Sequence, residues 1–180
     1  MRIAVLGAGA WGTALAISFA RRHSVVLWAR DPEKAASLRT ARENSRYLPG
    51  HPFPASLEPT GDFRAATDGA ELLLLAAPLA GLRSALQSLR DARISAPFLW
   101  VCKGLEKGSG LLPHQVVHEV LDKPVCGVLT GPSFADEVAR ELPTAVTIAS
   151  NDAEFALHCA EDLHGPRLRI YASDDVIGAE

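Results

Sequence analysis

The run Ile3-Ala4-Val5-Leu6-Gly7-Ala8-Gly9-Ala10-Trp11-Gly12-Thr13-Ala14-Leu15-Ala16-Ile17 decides the fold. A short apolar β-type stretch runs into G-x-G-x-x-G, a helical pattern follows, and a second β-type stretch, Val25-Val26-Leu27-Trp28, arrives at the spacing of a βαβ unit. Gly7 permits the tight turn from strand to helix, Gly9 removes a Cβ from the path of a pyrophosphate, and Gly12 lets the helix pack close to the strands. The free N–H groups and positive dipole end of that helix then suit two phosphates.

The same segment has a rival reading. Residues 3–20 carry no charge, with Arg2 before them and Arg21-Arg22 after, which is the outline of a signal peptide or a single membrane span. Three glycines, Thr13 and Ser18 dilute that outline, and export gives no reason for glycines at this spacing. The dinucleotide reading is preferred, and no membrane insertion is expected.

Outward from this segment, β-type apolar runs recur at Ile3 to Leu6, Val25 to Trp28, Leu72 to Ala76, Phe98 to Cys102, Val125 to Leu129, Ala145 to Ala149 and Leu168 to Tyr171. Helical patterns at about 11–22, 32–43, 79–90, 113–122, 133–141 and 152–163 separate them. Strands alternating with helices predict an α/β, doubly wound, mainly parallel sheet of Rossmann type with helices on both faces. The β-runs from Leu72 onward lack in/out alternation, as strands covered on both faces do. At 180 residues one domain is expected over residues 1–180. The proline-rich stretch from Asn44 to Gly61 reads as an irregular excursion, and the residues after Tyr171 show no closing element.

A net charge of −3, with acidic and basic residues mixed along the chain, leaves no footprint for nucleic acid. Cys102, Cys126 and Cys159 are widely spaced and suit reduced cytoplasmic thiols better than disulfides or zinc. His114 and His118 have metal-binding spacing, but Gln115 replaces the glutamate of a zinc protease and no third ligand is evident. A solvated helix face is expected there, and no metal.

Ligands of such sheets bind beyond the carboxyl ends of the strands, where Gly7, Arg30, Pro78, Lys103 and Gly131 fall. NAD-selective sites place an acidic residue at the tip of the second strand, and here the tip is Arg30. A guanidinium pairs with a 2′-phosphate and stacks on adenine, which favours NADP(H) or tolerance of NADP(H) and NAD(H), the alternative being a merely solvated surface arginine. Asp31-Pro32-Glu33 is a good helix start, so Asp31 is expected to cap rather than to bind ribose. Lys103-Gly104 places a cation beside the expected nicotinamide, although a lysine snorkelling from a strand end fits the position equally. In Gly131-Pro132-Ser133-Phe134-Ala135-Asp136-Glu137, Ser133 and Asp136 approach a capping box, and the same helix start could receive an anion.

With these residues in hand, the chain resembles the bacterial-type glycerol-3-phosphate dehydrogenases, NAD(P)-dependent enzymes that interconvert dihydroxyacetone phosphate and sn-glycerol 3-phosphate. The resemblance rests on Gly7 to Ala16, Asn44-Ser45-Arg46-Tyr47-Leu48-Pro49-Gly50, Lys103-Gly104-Leu105-Glu106, Gly131 to Ala135 and Pro143-Thr144-Ala145-Val146, in order along residues 1 to about 180. It implies that Gly7, Gly9, Ala10, Trp11, Gly12, Arg30, Lys103 and Ala135 contact the cofactor, and that Lys103, Gly131 and Ser133 hold the substrate. Ala10 departs from the serine often found there and leaves only backbone contact.

In the family the catalytic lysine, and the arginine and asparagine that grip the substrate phosphate, lie in a helical C-terminal domain. The resemblance therefore implies no catalytic residue within residues 1–180, a general-acid lysine past Glu180, and a fragment that binds cofactor without turnover. It also implies a cytoplasmic role in phospholipid synthesis and is compatible with a homodimer of the longer enzyme. A hydroxy acid or ketopantoate-type dehydrogenase shares the glycine fingerprint, and a non-catalytic dinucleotide sensor is a further alternative.

Overall fold

The computed structural model describes residues 1–180. Its elements in chain order are β1 (Arg2–Leu6), α1 (Ala10–Ala20), β2 (Ser24–Trp28), α2 (Pro32–Ala41), β3 (Glu43–Asn44), β4 (Leu48–Pro52), β5 (Leu57–Thr60), α3 (Phe63–Thr67) and β6 (Leu72–Leu75). There follow α4 (Leu79–Asp91), β7 (Phe98–Trp100), α5 (Pro113–Val120), β8 (Cys126–Thr130), α6 (Ala135–Ala139), β9 (Thr144–Ala149), α7 (Ala153–Leu163), β10 (Leu168–Ser173) and α8 (Val176–Ala179).

Eight strands form the main sheet in the order β10-β9-β8-β7-β6-β1-β2-β5. The strands from β8 to β5 run parallel. β9 turns back antiparallel to β8, with Leu129 opposite Ile148, and β10 follows β9 in parallel. The expected mainly parallel, doubly wound sheet is the observed one.

Residues alternate between two separate cores. Ile3, Val5, Leu72 and Leu74 point to one cluster, built with α1, α2, α6 and α7. Ala4, Leu6, Leu73 and Leu75 point to the other, built with α3, α4, α5 and α8. Both faces are covered, so polarity has no reason to alternate along these strands. Truncating Leu73 or Leu74, each wholly buried, to alanine is expected to cost about 2–5 kcal/mol.

α1 is buried along most of its length because it lies between the sheet and α6. That position explains the uncharged run of residues 3–20. No helix of the chain is long and apolar enough to cross a membrane.

Four expectations need correction. The excursion from Asn44 to Gly61 holds the antiparallel β3–β4 hairpin and β5, an edge strand of the main sheet. Its prolines are the reason it looks irregular, and Pro59 is tolerated because β5 lies at an edge, where one side makes no ladder bonds. The helix expected over 133–141 is the shorter α6, which ends as Glu141 takes the left-handed φ of 59°. The residues after β10 are not irregular: they form a short helix, α8, capped by the Asp175 carboxylate, which accepts from the Gly178 N–H at 2.8 Å. Finally, only His118 of the histidine pair lies on an exposed face. His114 is half-buried, with Nδ1 and its backbone N–H both against the Glu180 carboxylate.

Candidate dinucleotide site

The turn from β1 into α1 is dictated by close backbone approach. Gly7 has φ +133°, and a Cβ there would stand 2.5 Å from the Ala76 carbonyl oxygen. A Cβ on Gly12 would stand 2.1 Å from the Gly7 oxygen and 2.8 Å from the Ala76 Cβ. By contrast, a Cβ on Gly9 would meet nothing within 4 Å, so this glycine borders open space. Gly9 is also the N-cap of α1, and no side chain caps the helix. The first backward bond is from the Thr13 N–H to the Gly9 oxygen, 3.0 Å. The N–H groups of Ala10, Trp11 and Gly12 thus stand at an uncapped, positive helix end beside free space, the arrangement that receives a phosphate. These residues fit a dinucleotide pyrophosphate.

Behind this turn the Ala8 carbonyl is held by two side chains. Lys34 Nζ donates to it at 2.6 Å from α2, and Asn44 Nδ2 donates to it at 3.2 Å from β3. Asn44 Nδ2 also donates to Thr13 Oγ1 at 2.8 Å. The Tyr47 ring lies 4.3 Å from Lys34 Nζ, a cation–π contact that ties the hairpin to α2, and 5.2 Å from the guanidinium of Arg46 within the hairpin. Burial, and then the charge of Arg46, hold Lys34 below the usual lysine value.

Arg30 is exposed between β2 and α2 and has no ion-pair partner, so its guanidinium faces solvent at the strand tip. Asp31 caps α2 as expected: its carboxylate accepts from the Glu33 N–H at 3.0 Å, and Pro32 takes the first helical position. Trp11 is half-buried against the α1-side core.

Lys103 and Gly131 line one cleft of about 510 Å³ beyond the ends of β7 and β8, together with Thr130, Thr147, Ser173 and Asp175. Lys103 is exposed and unpaired there. Its loop is held from α4: Arg83 Nε and Nη2 donate to the two Glu106 carboxylate oxygens at 3.0 and 2.8 Å, and Nη2 also reaches Glu119 at 2.8 Å. The Arg83 guanidinium, and then the Ser109 hydroxyl, hold the Glu106 carboxyl down to about 2.

The segment after β8 differs from expectation. Phe134, not Ser133, is the N-cap of α6, and its N–H donates to Glu137 Oε2 at 3.3 Å. A carboxylate already occupies the start of this five-residue helix, so it offers no anion site. The Ser133 hydroxyl is buried and has no hydrogen-bond partner. Gly131 has a packing reason: a Cβ would stand 2.9 Å from both the Ala145 oxygen and Val146 Cγ1 of β9. Ala135 is half-buried at the first turn of α6.

Sequence reasoning overlooked Lys34, Asn44, Arg83, Ser173 and Asp175. Only Asn44 carried a signal, a lone amide within an otherwise unexplained motif. The others sit at helix positions and at the end of β10, whose place beside Lys103 depends on the reversal of β9.

A family model described as the NAD-dependent glycerol-3-phosphate dehydrogenase N-terminus matches residues 2–156. Proteins named glycerol-3-phosphate dehydrogenase [NAD(P)+] from Aromatoleum aromaticum and Dechloromonas aromatica are 57% and 54% identical over 181 residues. The alignments cover 100% of this chain and 55% of each relative, so the chain spans about half the length of the curated relatives it matches. The crystal structure of glycerol-3-phosphate dehydrogenase from Coxiella burnetii superposes with a TM-score of 0.91 at 39% identity, covering 98% of this chain and 55% of that one. A UDP-glucose dehydrogenase from Pyrobaculum islandicum shares the fold alone, with a TM-score of 0.68 at 16% identity over 98% of this chain and 46% of its own. With its glycine turn and the match over residues 2–156, the chain belongs to the NAD-dependent glycerol-3-phosphate dehydrogenase N-terminal family.

Proposed function

We propose that this chain is the cofactor-holding part of a cytoplasmic glycerol-3-phosphate dehydrogenase that interconverts dihydroxyacetone phosphate and sn-glycerol 3-phosphate for phospholipid synthesis. The uncapped start of α1, bordered by the open space at Gly9, carries the reading. Gly7 and Gly12 shape the turn, and the backbone N–H groups of Ala10 and Trp11 bind the pyrophosphate. Arg30 pairs with a 2′-phosphate where one is present, giving use of NADP(H) as well as NAD(H). The bound dinucleotide supplies or accepts the hydride.

On the other side, Lys103 and Ala135 complete the cofactor contacts, and Lys103 with Gly131 and Ser133 receives the substrate. The Lys103 ammonium attracts the phosphorylated ketone, and the unpartnered Ser133 hydroxyl is free to bond to a substrate oxygen. We assign no general acid to residues 1–180. Burial raises the thiols of Cys102, Cys126 and Cys159 to about 11, 12 and 12, which keeps them protonated and weakly nucleophilic near neutral pH.

Titration of the chain with NADPH and NADH, followed by nucleotide fluorescence, tests the reading. Both should bind, and Arg30→Ala should weaken NADPH about tenfold, the equivalent of one charge-assisted contact, while NADH changes little. Absence of binding by both nucleotides would remove the proposal, and equal effects of Arg30→Ala on both would remove the role of Arg30.

A further inference from the structure

We propose that Asn44 and Lys34 are positioning residues for the dinucleotide: by sharing the Ala8 carbonyl they set the peptide plane from which the uncapped start of α1 is presented to the pyrophosphate. The inference rests on the dinucleotide reading and deepens it.

The geometry requires an amide at position 44. Asn44 is 1% exposed, and both atoms facing its Nδ2 are oxygens, the Ala8 carbonyl and the Thr13 hydroxyl. A carbonyl only accepts, so the NH₂ group must face it, and one side chain bridges the residue before the N-cap to a residue in the first turn of the helix. The Lys34 ammonium takes the remaining acceptor capacity of the same carbonyl.

The consequence follows from peptide planarity. A trans peptide fixes the Gly9 N–H opposite the Ala8 carbonyl, so holding that oxygen also holds Gly9, the N-cap. It further prevents the carbonyl from swinging toward the Gly12 N–H and extending α1 by one residue. Such an extension would consume the Gly12 donor; the Ala8 oxygen is instead engaged by side chains, and the helix begins at Ala10. The β3–β4 hairpin, inserted between α2 and β5, thereby gains a task at a distance from its own position in the chain.

The test uses NADPH and adenosine 2′-monophosphate, which keeps the adenine, ribose and 2′-phosphate but lacks the pyrophosphate. Asn44→Leu is expected to weaken NADPH about tenfold, one hydrogen bond's worth of alignment, and to leave adenosine 2′-monophosphate within about twofold. Equal losses for the two ligands would mark Asn44 as merely structural and overturn the proposal. Lys34→Met, at a half-buried surface position, provides a second variant that threatens the fold less. NADH, which has no 2′-phosphate to confuse the result, should bind it several-fold more weakly, by about 3–10-fold. A wild-type chain that binds both nucleotides, matched by both variants, overturns the positioning role alone. A wild-type chain that binds neither overturns the dinucleotide reading with it.

Discussion

The turn after β1 and the turn after β8 both carry glycines between a strand and a helix, yet they are built for different ends. At the first, a Cβ on Gly12 would come within 2.1 Å of backbone, the helix that follows has 11 residues, and nothing caps it. At the second, a Cβ on Gly131 would come within 2.9 Å of its neighbours, the helix has five residues, and Glu137 closes its start. The first is braced from behind by the buried amide of Asn44; beside the second, the helix it leads into is held by the partly exposed His51–Asp136 contact at 2.9 Å. A glycine turn thus serves an anion only where the helix end is left uncapped, and bracing from elsewhere keeps it so.

The largest expected effect separates the two glycines. Gly12→Ala should cost about 3 kcal/mol of stability, since a Cβ there would stand 2.1 Å from backbone, whereas Gly131→Ala should cost less, about 2 kcal/mol, because at 2.9 Å the Ala145 carbonyl and Val146 need to shift by only a few tenths of an ångström. Urea unfolding midpoints would measure both, and equal costs would break the comparison. Next comes the cap: Glu137→Ala should lose about 0.5–1 kcal/mol in the same assay and leave NADPH affinity unchanged, because the carboxylate serves α6 alone.

The smallest effect is on acid sensitivity. The Glu106 carboxyl sits near 2 when folded, below its unfolded value, so the Arg83 contact contributes stability above about pH 4.5 that is lost as pH falls toward 2. Glu106→Gln should flatten the decline of the unfolding midpoint across that window. An unchanged slope would place the acid sensitivity elsewhere.

Most of the sheet was legible because β1, β2, β6 and β8 are apolar runs bounded by turn residues, and because Gly7, Gly9 and Gly12 have few other uses together. Arg30 was legible as a strand tip. The β3–β4 hairpin and β5 were not, since Pro49, Pro52, Pro54 and Pro59 signal loops and only an edge position reconciles Pro59 with a strand. The reversal of β9 left no local mark either, because a covered strand reads the same in both directions. Lys34, one of several charged residues on α2, could not be singled out without knowing that the Ala8 carbonyl lies within its reach. Ser133 was misread as a cap because Asp136 stands three residues on, whereas the Glu137 carboxylate makes the closing bond.

The central sheet also acts as a partition. Ile3 and Val5 belong to the core that supports α1, and Ala4 and Leu6 to the core that supports α4, α5 and α8, so neighbouring residues of one strand answer to different compartments. Repacking beneath the loop that carries Lys103 need not disturb the packing beneath the glycine turn, and substitutions in the two cores should combine nearly additively. Such a wall lets the support of one region be altered while the other is kept.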